Sequence, residues 1–493
     1  MSDQKIKIHS VKYNLIMNVI LKMSSFVFPL ITFPYVSRIL GAEGNGKVAF
    51  ASSVIYYFSV IASLGIPTYG VRICAKYRED VEKLSKTVKE LLIISSIMMI
   101  VSYILFFVAL TFIPRLQEEK PLMLINSVTI LLTVTGVEWF YQAIEQYDYI
   151  TFRNLAFKIL SIVLMFLFVH KSEDYIKYGL ICVVGTSGSN ILNFFRLNKF
   201  VKLNNKYPLE FRTHLKPIMM LFLLTASTII YTSLDTTMLG FISGDSEVGY
   251  YNAAVKLKGI LVSVVTALGT VLLPRLSYYL TNGMKKEFIA LIRKSFNFVL
   301  LISIPLSVFC IVQAADCILF LAGDGYSKSI LPMQFITPSI IFIGITNIIG
   351  IQILVPVGEE KKTVISTIAG AIVNLILNSI LIPLFGAAGA ALATMIAEFS
   401  VLVVQIYMIK GSILEMINFK NCGKIVVANV FALSVLTILN IFITVESLFV
   451  KLLILAVVYF VVYGSILILL REDIIMEIIG KVFNRTRNGA APK

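Results

Sequence analysis

Apolar residues fill most of this chain in long stretches that short polar segments separate. About 20 consecutive apolar residues cross a bilayer as a helix, so the pattern predicts an all-α polytopic membrane protein with about fourteen transmembrane helices. We place these spans at 13–39, 47–66, 90–113, 122–142, 154–170, 175–195, 217–241, 250–273, 295–321, 331–356, 363–385, 387–409, 425–444 and 448–470. The segments between them are too short for a soluble domain, so nearly the whole chain is expected in the membrane.

The first span carries polar residues along one side. They recur every three or four residues and therefore share one helical face: Asn14, Asn18, Lys22, Ser25, Pro29 and Thr32. A lysine at the centre of a bilayer costs about 2.5–3.5 kcal/mol on insertion scales. We therefore expect Lys22 to face a polar cavity or a charged group rather than lipid.

Three other spans carry polar stripes with the same spacing. Their residues are Ser52, Tyr56, Ser59 and Ser63 in the second span, Thr225, Thr228, Thr232 and Asp235 in the seventh, and Asn252, Lys256, Gly259, Ser263, Thr266 and Thr270 in the eighth. The pattern predicts that spans 1, 2, 7 and 8 form the wall of a cavity. Two alternatives stay open, because small polar residues also join helices to each other and Asp235 fits a structural ion pair with Lys256.

The chain also contains an internal repeat at a shift of 203 residues. The shift places Gly46 on Gly249, Arg72 on Arg275, and the polar stripe of span 1 on that of span 7. Six spans in each half give both halves the same orientation, which predicts parallel repeats. The expected domains are 1–212 and 213–410 for the two six-helix bundles, 411–470 for two additional helices, and 471–493 for a basic cytoplasmic tail.

Charge agrees with a membrane protein. Of all residues, 58% are hydrophobic and 14% are charged, and the formal net charge is +15. With the N-terminus inside, 31 of the 43 basic residues fall in inner segments and 8 in outer segments. The positive-inside rule therefore explains the charge without a nucleic-acid partner and predicts that both termini are cytoplasmic.

Candidate chemistry is confined to a few charged residues. Arg38, Arg72 and Arg275 end helices, where they serve as interfacial anchors or bind a diphosphate with bidentate hydrogen bonds. Asp235 and Glu398 lie within spans, and Glu398 is the better candidate for ion coupling. The cysteines and histidines show no metal-ligand spacing, so no metal or cofactor is expected, while coupling to a proton or sodium gradient stays open.

Short motifs connect the chain to a known family. Phe33-Pro34-Tyr35-Val36-Ser37-Arg38-Ile39-Leu40-Gly41, the segment 44–51, the segment 248–257 and the segment 385–394 resemble those of Wzx-type polysaccharide flippases. These proteins belong to the multidrug/oligosaccharidyl-lipid/polysaccharide exporter superfamily. The resemblance implies two six-helix bundles in a V shape around a central cavity, with optional helices 13 and 14.

The same resemblance implies a function. Such a protein transfers an undecaprenyl-diphosphate-linked oligosaccharide from the inner to the outer leaflet of the bacterial cell membrane by alternating access, for capsule, O-antigen or exopolysaccharide synthesis. Basic cavity residues would hold the diphosphate, here Lys22 and Lys256. Membrane lipids, and a polymerase with other glycan-assembly proteins, would be its partners.

Rival functions remain at this stage. A peptidoglycan-precursor flippase shares the lipid diphosphate, and an ion-coupled multidrug exporter of the same superfamily shares the fold. Organic cations call for an acidic cavity, so the two lysines disfavour the exporter. A membrane-embedded glycan polymerase or glycosyltransferase is disfavoured because no outer loop has space for a catalytic site.

Overall fold

The computed structural model describes residues 10–204, 208–409, 416, 418–443 and 445–480, and these residues contain helices and no strand. They form two compact units, one up to Asn252 and the other from Ala253. The boundary lies within a long helix, 40 residues beyond the predicted domain limit at 212/213. The predicted domains stay a prediction, and residues 481–493 of the predicted tail lie outside the described residues.

The first unit is built from ten helices and the start of an eleventh among the residues that the structure describes. Their bounds are α1 Val11–Ser63, α2 Ile66–Lys76, α3 Val81–Phe112, α4 Pro114–Gln117, α5 Lys120–Thr135, α6 Glu138–Ala143, α7 Tyr147–Phe168, α8 Tyr175–Val183, α9 Asn190–Leu197, α10 Arg212–Ile242 and α11 Asp245–Thr281. Short 3₁₀ and π segments, Ser172–Asp174 and Val184–Gly188, flank α8.

Helix α1 contains both of the first two predicted spans. It bends at Gly41, whose φ of 65° and ψ of −174° are not helical. A positive φ suits glycine because it has no Cβ to collide with the backbone. The end of α1 also needs this freedom, since Leu64 and Gly65 both adopt left-handed conformations before α2 begins. The first predicted span thus lies before the kink at Gly41, and the second lies after it.

The fourth and sixth predicted spans are interrupted where the sequence suggested continuous helices. The fourth span breaks between α5 and α6, where Val137 has a φ of 36°. The sixth contains the π segment after α8. Side-chain amides supply hydrogen bonds at the first break, because Asn190 donates to the Leu132 carbonyl at 3.0 Å and Asn193 donates to that of Gly136. Buried backbone groups inside a membrane need such partners.

Helix capping fixes several helix starts. The Ser10 side chain accepts the Tyr13 N–H at the start of α1, and the Asp80 carboxylate accepts the Lys83 N–H at 3.1 Å before α3. Short polar side chains at this position satisfy amides that the first turn leaves without partners. The Lys83 N–H, with the Lys83 ammonium, also holds the pKa of Asp80 below its ordinary value.

The core of the first unit lies where five helices meet. Its buried residues include Ile66 of α2, Leu84 of α3, Phe140 of α6, Ile150 of α7 and Ile218 of α10. Helix α10, the first span of the second predicted repeat, therefore packs within the first unit. A Cβ on Gly65 would collide with the backbone of α10 at Phe222, so α1 and α10 approach closely there.

The second unit contains the rest of α11 and the later helices of the described chain. Their bounds are α12 Lys285–Val312, α13 Ala314–Ala322, α14 Ile330–Ile336, α15 Ser339–Asn347, α16 Val355–Val357, α17 Glu360–Met408, α18 Phe419–Phe442 and α19 Leu448–Leu469. A 3₁₀ segment, Asp324–Ser329, precedes α14, and a π segment, Ile348–Leu354, precedes α16. Val265, Phe296 and Ile348 belong to the core of this unit.

Helix α17 bends as α1 does. It holds the eleventh and twelfth predicted spans, and its backbone is non-helical at Gly386, where φ is 53°. The bend opens the sequence Gly386-Ala387-Ala388-Gly389, which resembles Gly41-Ala42-Glu43-Gly44 in α1. Both glycine bends separate two predicted spans.

The last two helices are attached to the second unit by polar contacts at several levels. Lys451 of α19 pairs with Asp316 of α13 at 2.7 Å, and the Tyr463 hydroxyl donates to the Leu301 carbonyl of α12 at 3.0 Å. The Asn297 amide of α12 donates to the buried Glu472 carboxylate at 2.5 Å. Asp316, expected inside a span, therefore has a structural partner.

The described chain contains ten helical segments that are long and apolar enough to cross a membrane. Two of these ten contain the bends at Gly41 and Gly386. Helices α10 and α11, which are not among the ten, have 31 and 37 residues and cover the seventh and eighth predicted spans. The multi-span helical fold is confirmed, whereas the count of fourteen and the repeat stay predictions.

Candidate functional site

A cavity of about 620 Å³ lies inside the first unit. Five parts of the unit form its wall: the second half of α1, the start of α2, α5, the end of α8 with its π segment, and α10. This volume falls within the range of small-molecule sites, about 300–1,000 Å³. The second half of α1 lies between the bend at Gly41 and the turn at Gly65, and its residues from Ser52 to Ser63 line the cavity.

Most of the residues that line this cavity carry a hydroxyl group. Of its eighteen lining residues, eleven carry a hydroxyl and none carries a charge. The hydroxyl residues are Ser52, Ser53, Tyr56, Ser59, Ser63, Thr68, Thr129, Thr133, Thr186, Ser187 and Thr225. Asn126 adds an amide. The site can therefore make many hydrogen bonds without fixed charge.

Most of these hydroxyls donate to a carbonyl of their own helix. Ser59 donates to Ile55, Thr133 to Thr129 and Thr225 to Leu221, at 2.7 to 3.0 Å. Serine and threonine in helices satisfy their donor in this way when no better acceptor is near. The oxygen lone pairs of such hydroxyls stay able to accept hydrogen bonds from a ligand.

The predicted stripe of the second span lies on this wall. Ser52 and Tyr56, both named as cavity residues, line the cavity together with Ser59 and Ser63. Ser52 also donates to the Asn126 carbonyl oxygen at 3.2 Å.

The opposite wall was missed by the sequence pattern. Asn126, Thr129 and Thr133 on α5 follow the same spacing of three and four residues, so a signal for them was present. Thr186 and Ser187 had no such signal, because the π segment turns them toward the cavity with a period that a regular helix does not have.

The first half of α1 has a different character. Lys22 is exposed, and none of the described residues pairs with it. Lys158 of α7 donates to the Ser24 and Ser25 hydroxyls at 2.8 and 3.1 Å, and its ammonium lies 5.6 Å from the centre of the Phe28 ring. Lys158 is a second lysine in mid-span, as Lys22 is. The sequence held this signal, but Lys158 belonged to no stripe.

Other predicted residues of span 1 have structural contacts. The Asn14 amide donates to Glu145 at 3.2 Å, and Glu145 also pairs with Arg78 at 2.8 Å. Asn18 is half-buried, and the Thr32 hydroxyl donates to the Phe28 carbonyl at 3.0 Å. The buried Asn14 amide therefore connects α1 to the loop before α7.

Predicted residues of spans 7 and 8 are divided between the two units. Asp235 is buried in the first unit and accepts the Tyr251 hydroxyl at 2.5 Å. Asn252 is the last residue of that unit, whereas Lys256 and Ser263 lie half-buried in the second. Ser263 donates to the Ile260 carbonyl at 2.6 Å. The side chain of Thr228 lies outside the part that the structure describes.

The remaining candidates are not among the residues that line the cavity of the first unit. Arg38 is exposed and donates to the Pro34 carbonyl at 2.6 Å, and Arg275 is exposed and donates to the Tyr279 hydroxyl at 2.8 Å. Arg72 is also exposed, and Glu398 is half-buried on α17. Their roles in substrate binding and ion coupling stay predictions.

An ion-pair network joins α1 to the loops that were predicted to lie outside. Lys47 pairs with Glu119 at 2.9 Å, and Tyr175 donates to the same Glu119 at 2.8 Å. Arg115 pairs with Asp245, at the start of α11, at 2.5 Å. The sequence did not predict these ion pairs, because the acidic partners come from distant segments.

A close backbone contact lies beside this network. A Cβ on Gly46 would overlap the Asp245 carbonyl, and a Cβ on Gly249 would overlap the Ala42 carbonyl. The 203-residue shift relates Gly46 to Gly249 and Ala42 to Asp245. The two contacts are therefore equivalent under this shift, because Gly46 meets Asp245 and Gly249 meets Ala42. A twofold axis between the repeats would produce this arrangement. The repeat itself stays a prediction.

A buried polar cluster holds the start of α10 to α2 and α3. The two ring nitrogens of His214 lie 2.8 Å from the Tyr69 hydroxyl and 2.9 Å from the Glu90 carboxylate. Glu90 also accepts the Glu210 N–H at 2.6 Å. A hydrogen bond from Lys86 keeps the pKa of the exposed Glu210 below its ordinary value. This cluster fixes the linker before α10. Among the residues that the structure describes, no group of three or more His, Cys, Asp or Glu side chains could hold a metal ion.

A family comparison assigns the chain. The sequence pattern of the family described as "Polysaccharide biosynthesis protein" matches residues 11–280, more than half of the 493 residues. The chain belongs to this family. The match includes both halves of α1 and all the residues around the cavity, and it confirms the resemblance to Wzx-type flippases that the motifs indicated.

Individual relatives agree with this family. The "Putative O-antigen transporter" of Escherichia coli (strain K12) is 25% identical over 395 residues, which cover 79% of this chain and 94% of the relative. The structure titled "Lipid II flippase MurJ, inward closed conformation" has a TM-score of 0.75 at 18% identity and covers 93% of this chain and 100% of its own.

A multidrug transporter shares the fold at lower similarity. The structure titled "Inward-facing conformation of a multidrug resistance MATE family transporter of the MOP superfamily" has a TM-score of 0.60 at 12% identity. It covers 81% of this chain and 98% of its own. At these identities the two structures show the fold alone, which is that of the exporter superfamily.

Proposed function

We propose that this chain is a flippase that moves an undecaprenyl-diphosphate-linked oligosaccharide from the inner to the outer leaflet. The observation that carries this proposal is the family match over 11–280, together with a relative described as an O-antigen transporter that aligns over 94% of its length. The lipid-linked glycan would serve capsule, O-antigen or exopolysaccharide synthesis. The protein would lie in the bacterial cell membrane with both termini in the cytoplasm.

Lysine side chains are our candidates for binding the diphosphate. Lys158 of α7 donates to Ser25, which follows Lys22 by three residues and so shares its face of α1. Exposed Lys22 is costly in lipid, and a phosphate in an aqueous cavity would offset that cost. Lys256, Arg72 and Arg275 are further candidates for binding this anion.

Alternating access would move the substrate past this site. In parallel-repeat transporters the two halves rock around a central site. Glu398 and Asp235 are the candidates for coupling this motion to a proton or sodium gradient. Membrane lipids and a polymerase that joins the exported units would be partners.

Peptidoglycan-precursor export is the second candidate function. It is favoured by the fold similarity to the lipid II flippase, with a TM-score of 0.75. It shares the lipid diphosphate with the main proposal, so the same lysines would serve. A multidrug exporter is disfavoured because no acidic residue lines the first-unit cavity.

The lipid-linked pools of the source cells test the proposal directly. Deleting the gene should trap one glycan on undecaprenyl diphosphate in the inner leaflet, and mass spectrometry of extracted lipids would identify it. Accumulation of a polysaccharide repeat unit is expected, and accumulation of the peptidoglycan precursor would select the second candidate. An unchanged lipid-linked pool would contradict both.

A further inference from the structure

We infer that the cavity of the first unit binds uncharged sugar residues of the transported glycan and excludes the diphosphate and acidic sugars. This inference rests on the proposed function, because it assigns one part of the same substrate to one part of the protein. It separates two sites on α1, a neutral one along residues 52–63 and a basic one around Lys22.

The hydrogen-bonding state of the wall is the first argument. Seven of the cavity hydroxyls donate their proton to another protein group, namely those of Ser52, Ser53, Ser59, Ser63, Thr133, Thr186 and Thr225. A hydroxyl has one proton but two lone pairs, so each of these oxygens keeps a lone pair that can accept a hydrogen bond from a ligand, and that of Ser53 also accepts the Thr237 hydroxyl at 3.0 Å. The cavity therefore offers more acceptors than donors.

Charge is the second argument. An ionised phosphate or carboxylate has acceptors only and would bring a negative charge beside seven oxygens whose protons are already donated to the protein. Burying an ionised carboxylate without a partner carries a large free-energy cost. No lining residue supplies a positive charge. The same wall that rejects an anion suits a sugar, since each sugar hydroxyl carries a proton to donate.

The apolar part of the wall is the third argument. Ile55, Val60 and Val183 line the cavity between the hydroxyls, and Tyr56 presents a partly exposed ring, 44% accessible. Sugars have apolar C–H faces beside their hydroxyl edges, so they match a wall of this mixed type. A lipid tail would leave the hydroxyl oxygens without partners, and unpaired polar groups reduce affinity.

Cys182 makes the cavity accessible to a direct test, because it lines the wall. The other four cysteines would be replaced by serine or alanine, and the purified protein would react with a small methanethiosulfonate reagent. Maltotriose, trigalacturonate and inorganic pyrophosphate serve as neutral, acidic and diphosphate probes. We expect maltotriose to slow the labelling of Cys182 and the two anions, at equal ionic strength, to leave the rate unchanged.

Paired variants assign the protection to the cavity oxygens. Thr129→Val with Thr133→Val removes two hydroxyls at nearly constant volume and should weaken maltotriose protection about tenfold, the effect of 1.4 kcal/mol. Thr135→Val is the matched control, because Thr135 makes the same bond to its own helix at 2.9 Å and does not line the cavity.

Three outcomes overturn the inference: protection by pyrophosphate or trigalacturonate equal to that by maltotriose, absence of maltotriose protection, or equal loss in the control variant. Each of these leaves the flippase proposal standing if the gene deletion traps a lipid-linked glycan. An unchanged lipid pool in the deletion strain instead removes the flippase proposal itself.

Discussion

The two halves of α1 share one pattern and differ in chemistry. Before the bend at Gly41, the polar face contains Lys22 and receives Lys158 from α7. After the bend, the polar face from Ser52 to Ser63 lines a cavity whose wall has no charge. The spacing of polar residues thus predicts which face of a helix avoids lipid. The residue types on that face, and those that neighbouring helices bring to it, decide what the face can bind.

The two surfaces correspond to the two chemical parts of a flippase substrate. A lipid diphosphate is anionic and compact, and it requires cations. The attached sugars carry many hydroxyls and require acceptors. One helix that presents both surfaces, separated by a glycine bend, can contact both parts of one ligand. The comparison is therefore sharpest when each surface is changed alone.

The largest effect is expected from the basic half. Lys22→Ala with Lys158→Ala would remove two cations, and a hydrogen bond to a charged group contributes about 1.5–3 kcal/mol. Export of the glycan should fall about tenfold to hundredfold for each lysine, as those energies imply. The measurement is surface glycan per cell at equal protein in the membrane.

Lys199→Ala is the control for this pair, because Lys199 is exposed in the segment after α9 and lies in neither surface. Normal export by the double variant would remove both lysines from the substrate site. Export that falls equally in the control would indicate a general effect of surface charge on insertion.

A second effect is expected at the junction of the two halves. Gly46→Ala would drive a Cβ into the Asp245 carbonyl, and overpacking of this type costs about 1–3 kcal/mol. The protein should unfold at a lower temperature, which size-exclusion chromatography after heating would detect. Gly249→Ala should behave in the same way, because its Cβ would meet the Ala42 carbonyl.

Gly259→Ala provides the matched control for both glycines. A Cβ at Gly259 meets nothing within 4 Å, and alanine is favoured over glycine inside a helix by about 1 kcal/mol. Its stability should hold or rise. A stable Gly46→Ala protein would mean that α1 and α11 do not cross as closely as these glycines indicate.

Some features of the fold and the site could be predicted from the sequence, and others could not. Apolar length predicted the membrane helices, and polar spacing placed Ser52 and Tyr56 on a cavity wall, because both depend on local periodicity. The shift of 203 residues paired Gly46 with Gly249, which the structure brings into close contact. Local patterns and repeats are properties of the chain itself, so they could be extracted without coordinates.

The missed features depend on contacts between distant residues. The break after Thr135 is stabilised by Asn193, which lies more than fifty residues away in the sequence. The sequence around Gly136 does not identify this partner. Lys158 became a site candidate only because α7 packs beside Ser24 and Ser25. The ion pair of Arg115 with Asp245 has the same origin. Tertiary packing chose these partners, and spacing alone could not.

The smallest expected effect tests whether Ser59, in the neutral half of α1, binds substrate or only stabilises helix packing. Ser59 donates to the Ile55 carbonyl at 3.0 Å, and a hydroxyl that bonds back to its own helix contributes little to stability. Ser59→Ala should therefore change the free energy of unfolding by less than about 0.5 kcal/mol, the usual range away from special features. Export should nevertheless fall, because one sugar donor would lose its acceptor, by about fivefold for roughly 1 kcal/mol.

Ser434→Ala is the matched comparison for that serine. Ser434 of α18 makes the same bond to the Val430 carbonyl at 2.9 Å, and it does not line the cavity. Equal stability and unequal export of the two variants would assign Ser59 to substrate binding. If Ser59→Ala instead lowered stability and left export per folded molecule unchanged, the polar stripe after Gly41 would serve helix packing, and the chemical contrast between the halves of α1 would have no role in transport.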